Sequence, residues 1–147
     1  MEMNMSGKSG LTLHHVGIVV SNIEEQRRFY VDHLGYGERT AVIHDPLQTA
    51  YVQFFSIPGS DHYLELVAPD GENSRLQNAS RKGIPLNHLC YACDEIAATF
   101  DSLWNAECYR ISAPTPAVAF DGRPVAWLMT PDKLLIELVQ RGGPGSL

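Results

Sequence analysis

Two histidines and two glutamates in apolar, strand-like segments are the residues of this sequence best suited to chemistry. They are His15 in HHVGIVV, Glu65 in YLELV, His88 in NHLCYA and Glu137 in LIELV. A carboxylate among apolar neighbours is costly to bury without a partner, and a bound cation is a favourable one. Two imidazoles and two carboxylates suit a divalent ion such as Zn, Co, Ni, Mn or Fe. We therefore predict that these four residues are metal ligands and that each chain binds one divalent metal ion.

The four residues recur in an internal repeat. HHVGIVVSNI matches NHLCYACDEI at an offset of 73 residues, and YLELVAP matches LIELVQ at an offset of 72. A single histidine or glutamate in a strand is more often a structural residue than a ligand. Chance gives no reason for both to recur at matching places in two copies, so the repeat favours the metal site. Alternation along the first strand lets only one of His14 and His15 point at that site.

Each copy predicts the element order β-α-β-β-β. In the first copy, Ser21 and Glu24 form a capping box at the start of a helix that ends at Gly35, and its apolar stripe includes Phe29 and Leu34. The other predicted elements are a helix over 94–104 and strands over 38–43, 50–55, 109–112, 125–129 and 134–139.

Composition and charge exclude several classes of function. The net charge of −6, without a basic run, argues against binding to nucleic acid or to an anionic membrane surface. The longest apolar stretches have strand length and fall short of a membrane helix. The first residues lack the apolar core of an export signal, so we expect a cytoplasmic protein.

The cysteines indicate structural thiols. Three cysteines are too few for a disulfide framework and fit a reducing compartment. Cys90 and Cys93 lie three residues apart in a predicted strand and therefore point to opposite faces, which favours buried thiols over a redox or metal-binding pair.

The length of 147 residues suits one domain with a core of its own. We expect a single domain over 11–141, made of two modules over about 11–69 and 86–141 and a linker over 70–85 that contains a short surface helix. Residues 1–10 and 142–147 are tail-like in composition, and we expect both segments to be disordered.

The segments HHVGIVVSNIEEQRRFYVDHLGY, LELVAPDGENSRLQ and GRPVAWLMTPDKLLIELVQ resemble the vicinal oxygen chelate superfamily, over about residues 11–141. Within it, the sequence is most similar to the methylmalonyl-CoA epimerase family. The resemblance implies an α+β fold in which two tandem βαβββ modules form an open, cupped mixed sheet around a metal site. It also places the superfamily's metal ligands on His15, Glu65, His88 and Glu137.

The resemblance implies a metal-dependent isomerase that removes and returns the α-proton of an acyl-CoA thioester through a metal-stabilised enolate. Glu137 is the catalytic base that it implies. A second proton carrier is expected on the opposite face of the enolate, and some members of the family carry a glutamate on the strand corresponding to Tyr51–Phe55. Here Gln53 is the polar residue of that strand, and the nearest acid, Asp45, falls in a predicted turn. Family habit also implies a homodimer formed through sheet edges.

Three other functions of the same superfamily stay open. A glyoxalase I-type lyase, which acts on glutathione hemithioacetals, uses the same set of ligands. An extradiol-type dioxygenase normally holds iron with two histidines and one glutamate, and Glu65 as a fourth ligand counts against it. A non-catalytic drug-binding protein uses the cleft without a metal, and the complete set of four ligands argues against that function.

Overall fold

The computed structural model describes residues 11–83 and 85–147, which form two compact units. The first unit is His15–Asn87, and the second contains residues 11–14 together with His88–Leu147. The first strand, β1 (Thr12–Val19), therefore contributes residues to both units. The tail expected at residues 1–10 lies outside the described residues.

The first unit is a mixed sheet with two short α-helices. In it, β4 (Ala50–Ser56) is antiparallel to β5 (Tyr63–Pro69), and β1 is parallel to β5. The remaining elements are α1 (Ile23–Arg28), which continues as a π-helical turn (Phe29–His33), β2 (Gly37–Glu38), β3 (Ile43–Asp45) and α2 (Gln77–Lys82).

The prediction of one strand over 38–43 is wrong for residues 39–42, which are not in a strand. The structure has two short strands instead, because β2 and β3 pair with different parts of β4. Between them the chain bends, and the Thr40 hydroxyl accepts a hydrogen bond from the backbone N–H of Phe54 (3.1 Å) in place of a strand partner. Asp45 was expected in a turn, but it is the last residue of β3.

Helix α1 begins one residue later than the sequence indicates. Its cap is Asn22, whose Oδ1 accepts from the backbone N–H of Glu25 (3.0 Å), so the predicted capping box on Ser21 is wrong. The π-helical turn then adds a residue to the helical repeat and rotates the following side chains away from the core. Leu34, which follows this turn and was expected on the apolar stripe, is exposed. Phe29, also expected on the stripe, is exposed too, because it lies six residues after the buried Ile23 and therefore on another side of the helix.

The second unit has the predicted β-α-β-β-β order. Its strands are β6 (Leu86–Cys93), β7 (Tyr109–Pro116), β8 (Pro124–Met129) and β9 (Leu135–Gln140), and its helix is α3 (Ile96–Asn105). Strand β6, most of which belongs to this unit, is parallel to β9, and the antiparallel neighbours β8 and β7 follow. The Gln140 side chain caps α3, since its Oε1 accepts from the Ile96 N–H (3.0 Å).

Each unit buries an apolar core between its helix and one face of its sheet. In the first unit this core contains Ile23, Phe55 and Leu66, and in the second it contains Phe100, Leu128 and Leu138. We call this side of each sheet the helix face, and the opposite side the His face. Among the residues that the structure describes, no helix is long and apolar enough to cross a membrane.

The segment 142–147 is included in the structure, where the Arg123 guanidinium donates to the Leu147 carbonyl and also to the Gln140 carbonyl (2.8 Å). The disorder expected of this segment stays a prediction.

Candidate metal centre

The first unit brings His15 and Glu65 together. Strands β1 and β5 are aligned so that Gly17 lies beside Glu65, and His15, two residues earlier, shares the same face. The imidazole Nε2 of His15 lies 3.1 Å from Glu65 Oε1. The imidazole is fully buried and the glutamate is 7% exposed.

The second unit repeats this arrangement. Cys90 lies beside Glu137 in the parallel pair of β6 and β9, and His88 again comes two residues earlier on the same face. His88 Nε2 lies 3.2 Å from Glu137 Oε1. Both side chains are buried. We call these two His–Glu pairs the half-sites.

The geometry of each half-site fits ligands of one ion. Nitrogen and oxygen ligands at about 2.1 Å from a tetrahedral ion lie roughly 3.4 Å apart, close to both observed separations. A His–Glu hydrogen bond alone produces a similar distance, so the distance by itself does not distinguish the two cases. What favours ligands is the burial of both carboxylates in two copies, each placed on a sheet with an apolar core behind it.

An aromatic ring supports each imidazole, and sequence reasoning did not single out this pair of rings. Phe54 lies cross-strand from Glu65 and packs edge to face on His15, with ring centroids 5.0 Å apart. Trp127 lies cross-strand from Glu137 and packs in the same way on His88, with centroids 4.8 Å apart. The sequence contained the signal, because Phe54 and Trp127 are separated by the same 73 positions as the two histidines.

Gln53 does not belong to the half-site. It lies cross-strand from Leu66 on the helix face, where its Nε2 donates to Glu38 Oε1 and to the Thr40 carbonyl, both at 2.8 Å. Asp45 does occupy the His face, since it pairs with Ala50. However, Ala50 lies four residues along β4 from Phe54, about 13 Å away in an extended strand.

The other histidines have different surroundings. His14 packs edge to face on Phe120, with centroids 5.5 Å apart. His44 Nε2 lies 2.9 Å from Asp70 Oδ2 in an exposed pair, and His33 and His62 are exposed. Arg27 pairs with Glu24 and with Glu38 on the surface of α1.

Comparison with known proteins agrees with this architecture. Residues 14–127 match the model of the glyoxalase/bleomycin resistance protein/dioxygenase superfamily. The chain is 28% identical over 145 residues to the mitochondrial methylmalonyl-CoA epimerase of Dictyostelium discoideum, covering 94% of this chain and 84% of that protein. It is 30% identical over 132 residues to the ethylmalonyl-CoA/methylmalonyl-CoA epimerase of Cereibacter sphaeroides, covering 87% of this chain and 96% of that protein.

Solved structures show the same fold. Methylmalonyl-CoA epimerase from Mycobacterium tuberculosis superimposes with a TM-score of 0.78 at 24% identity, over 89% of this chain and 88% of that chain. A methylmalonyl-CoA epimerase in complex with methylmalonyl-CoA and NH4+ gives 0.79 at 18% identity, over 92% and 97%. The predicted α+β class and the resemblance to this superfamily are thereby confirmed. The chain belongs to the glyoxalase/bleomycin resistance protein/dioxygenase superfamily.

Proposed function

We propose that this protein is a metal-dependent epimerase of an acyl-CoA thioester of the methylmalonyl type. The observation that carries the proposal is the duplicated half-site, with His–Glu separations of 3.1 and 3.2 Å. It occurs in a chain whose relatives include methylmalonyl-CoA epimerases. Neither fact alone identifies the substrate, but together they favour proton transfer next to a thioester carbonyl.

In this proposal the four residues His15, Glu65, His88 and Glu137 hold one divalent ion. The set of two imidazoles and two carboxylates fits Zn, Co, Ni, Mn or Fe. When bound, such an ion polarises the carbonyl oxygen of the substrate and acidifies the neighbouring C–H bond.

Glu137 is the residue that we propose to carry the α-proton. Glu137 is 6% exposed and its Oε1 contacts His88, so the carboxylate is held in one position. A fixed carboxylate accepts a proton from one side of the substrate and returns it. Epimerisation also needs a group that delivers a proton to the opposite face of the enolate. Gln53 is unsuited to this role because its amide is bound to Glu38 on the helix face.

Metal analysis tests the ligand assignment. The purified protein is expected to contain about one divalent ion per chain, and His15→Ala and His88→Ala are each expected to lose it while keeping the circular dichroism spectrum of the folded protein. His62→Ala is the control, because His62 is exposed and lies outside both half-sites. Full occupancy in both ligand variants would overturn the assignment.

Exchange with solvent tests the reaction. Incubation of methylmalonyl-CoA in D2O with the metal-loaded protein is expected to replace the α-proton by deuterium, and treatment with a chelator is expected to stop the exchange. If the protein instead leaves methylmalonyl-CoA unlabelled and turns over a glutathione hemithioacetal, the assignment moves to the glyoxalase I-type lyase.

A further inference from the structure

The two half-sites differ in the aromatic ring that supports the imidazole. Phe54 and Trp127 occupy equivalent places: each lies cross-strand from the glutamate of its half-site. Each also packs edge to face on the histidine, with interplanar angles of 82° and 78°. The packing role is therefore the same in both, and a phenylalanine is sufficient for it in the first unit. Tryptophan in the second unit is a larger ring system, and the chemical group that it adds is an N–H.

That N–H group is buried and has no hydrogen-bond partner among the described residues. A buried donor without an acceptor destabilises a fold, so such groups are rare in native structures. The indole N–H can only donate, since the ring offers no acceptor atom. A buried indole N–H without an acceptor in the described part of the chain, at a place where the equivalent ring of the first unit is a phenylalanine, points to an acceptor supplied by a ligand.

We infer that Trp127 Nε1–H donates a hydrogen bond to an oxygen of the substrate's acyl group. The inference rests on the proposed function, because it places that acyl group beside His88 and Glu137. A thioester of the 2-carboxyacyl class carries, besides the thioester carbonyl, a carboxylate on the carbon that loses the proton. The carboxylate is the better acceptor, since a hydrogen bond to an ionised group is stronger and shorter than one between neutral groups. Trp127 thus selects acyl groups that bear this carboxylate.

The indole N–H resonance provides a direct test that does not depend on turnover. The chain has two tryptophans, and Trp104 is a built-in reference because it is exposed on α3. In 1H–15N spectra of the Zn2+-loaded protein, methylmalonyl-CoA is expected to move the Trp127 indole signal downfield and to leave that of Trp104 in place. Propionyl-CoA, which has the same CoA group but no carboxylate, is expected to leave both indole signals in place.

Substitution gives an independent measure. Trp127→Phe copies the arrangement already present at Phe54, so the fold and Zn2+ stoichiometry are expected to be retained. Loss of a hydrogen bond to a charged group is expected to weaken methylmalonyl-CoA binding by about tenfold or more in titration calorimetry. Affinity for propionyl-CoA is expected to be unchanged. Trp104→Phe is the matched control and is expected to change neither affinity.

The outcomes separate this inference from the proposed function. If methylmalonyl-CoA binds and exchanges its proton while the Trp127 signal stays in place, the inference is wrong and the proposed function stands. The inference is also wrong if Trp127→Phe loses the same amount of affinity for methylmalonyl-CoA and for propionyl-CoA, because the loss would then come from packing and not from a hydrogen bond to the carboxylate. If methylmalonyl-CoA does not bind to the Zn2+-loaded protein, both fall.

Discussion

Gln53 and Glu38 form a hydrogen bond of 2.8 Å on the helix face of the first unit. The same amide also donates to the Thr40 carbonyl, so Gln53 ties the bend between β2 and β3 to the central strand β4. Phe54, the next residue, points to the opposite side and packs on His15. Two neighbouring residues of β4 therefore have different roles: Gln53 makes a structural hydrogen bond on the helix face, and Phe54 packs on the half-site on the His face.

Gln53→Ala is expected to lower stability without affecting the metal centre. It removes two hydrogen bonds made by a buried side chain, and each such bond contributes about 0.5–1.5 kcal/mol. Thermal unfolding would show a Tm lower by several degrees, with unchanged ion stoichiometry. Gln26→Ala, at an exposed position of α1, is the control and is expected to stay within about 0.5 kcal/mol of the parent. Loss of the ion in Gln53→Ala would contradict the placement of this residue.

Glu137→Gln and Glu65→Gln are expected to differ in activity. Each keeps an oxygen ligand and removes one negative charge, so both are expected to weaken binding of the ion. At saturating Zn2+, Glu137→Gln should lower the rate of α-proton exchange by about 10²–10⁴-fold, because the proton carrier is lost. Glu65→Gln should keep exchange. An equal loss in both variants would remove the special role given to Glu137.

Asn22→Ala is expected to destabilise the first unit through its helix. The Asn22 side chain satisfies the N–H of Glu25, and loss of such a cap typically costs about 1 kcal/mol. Ser21→Ala tests the alternative cap that the sequence suggested and is expected to have little effect. Chemical denaturation of the two variants measures the difference, and a larger effect at Ser21 would show that the helix begins there.

The cysteines are expected to react slowly with iodoacetamide in the folded protein. All three are reduced thiols and buried, and burial raises the pKa of the Cys93 thiol above its ordinary value. Labelling should become fast in denaturant, which serves as the control. Between the ordinary thiol pKa and the raised one, the Cys93 thiol keeps its proton in the folded protein and loses it in the unfolded chain. Its contribution to the free energy of unfolding is therefore complete below the ordinary pKa and is lost as the pH rises through the raised value. Rapid labelling of Cys93 at neutral pH would contradict its burial.

The sequence could place each histidine on the same face as its glutamate because a strand has a strict side-chain period of two, whereas the role of these residues as metal ligands stays a prediction. When the repeat aligns His15 with His88, it also aligns Glu65 with Glu137. The alternation of side chains along each strand then predicts which residues share a face. The sequence could not place the cap of α3 on Gln140, since that contact joins residues 44 positions apart. The π-helical turn after α1 was equally hidden, because it depends on how the helix meets the core and not on a local signal. The domain boundaries, the homodimer and the cytoplasmic location stay predictions.

The bend between β2 and β3 also affects how the first sheet meets other chains. One edge of β4 is covered by strands of two and three residues, so no long row of free backbone groups is presented there. The second sheet has β7 at one edge, where the register shifts twice and Pro114 and Pro116 remove donors. Short, bulged and proline-containing edges resist the addition of strands. These edges therefore disfavour edge-to-edge pairing between folded chains, including a homodimer built by pairing of these particular strands.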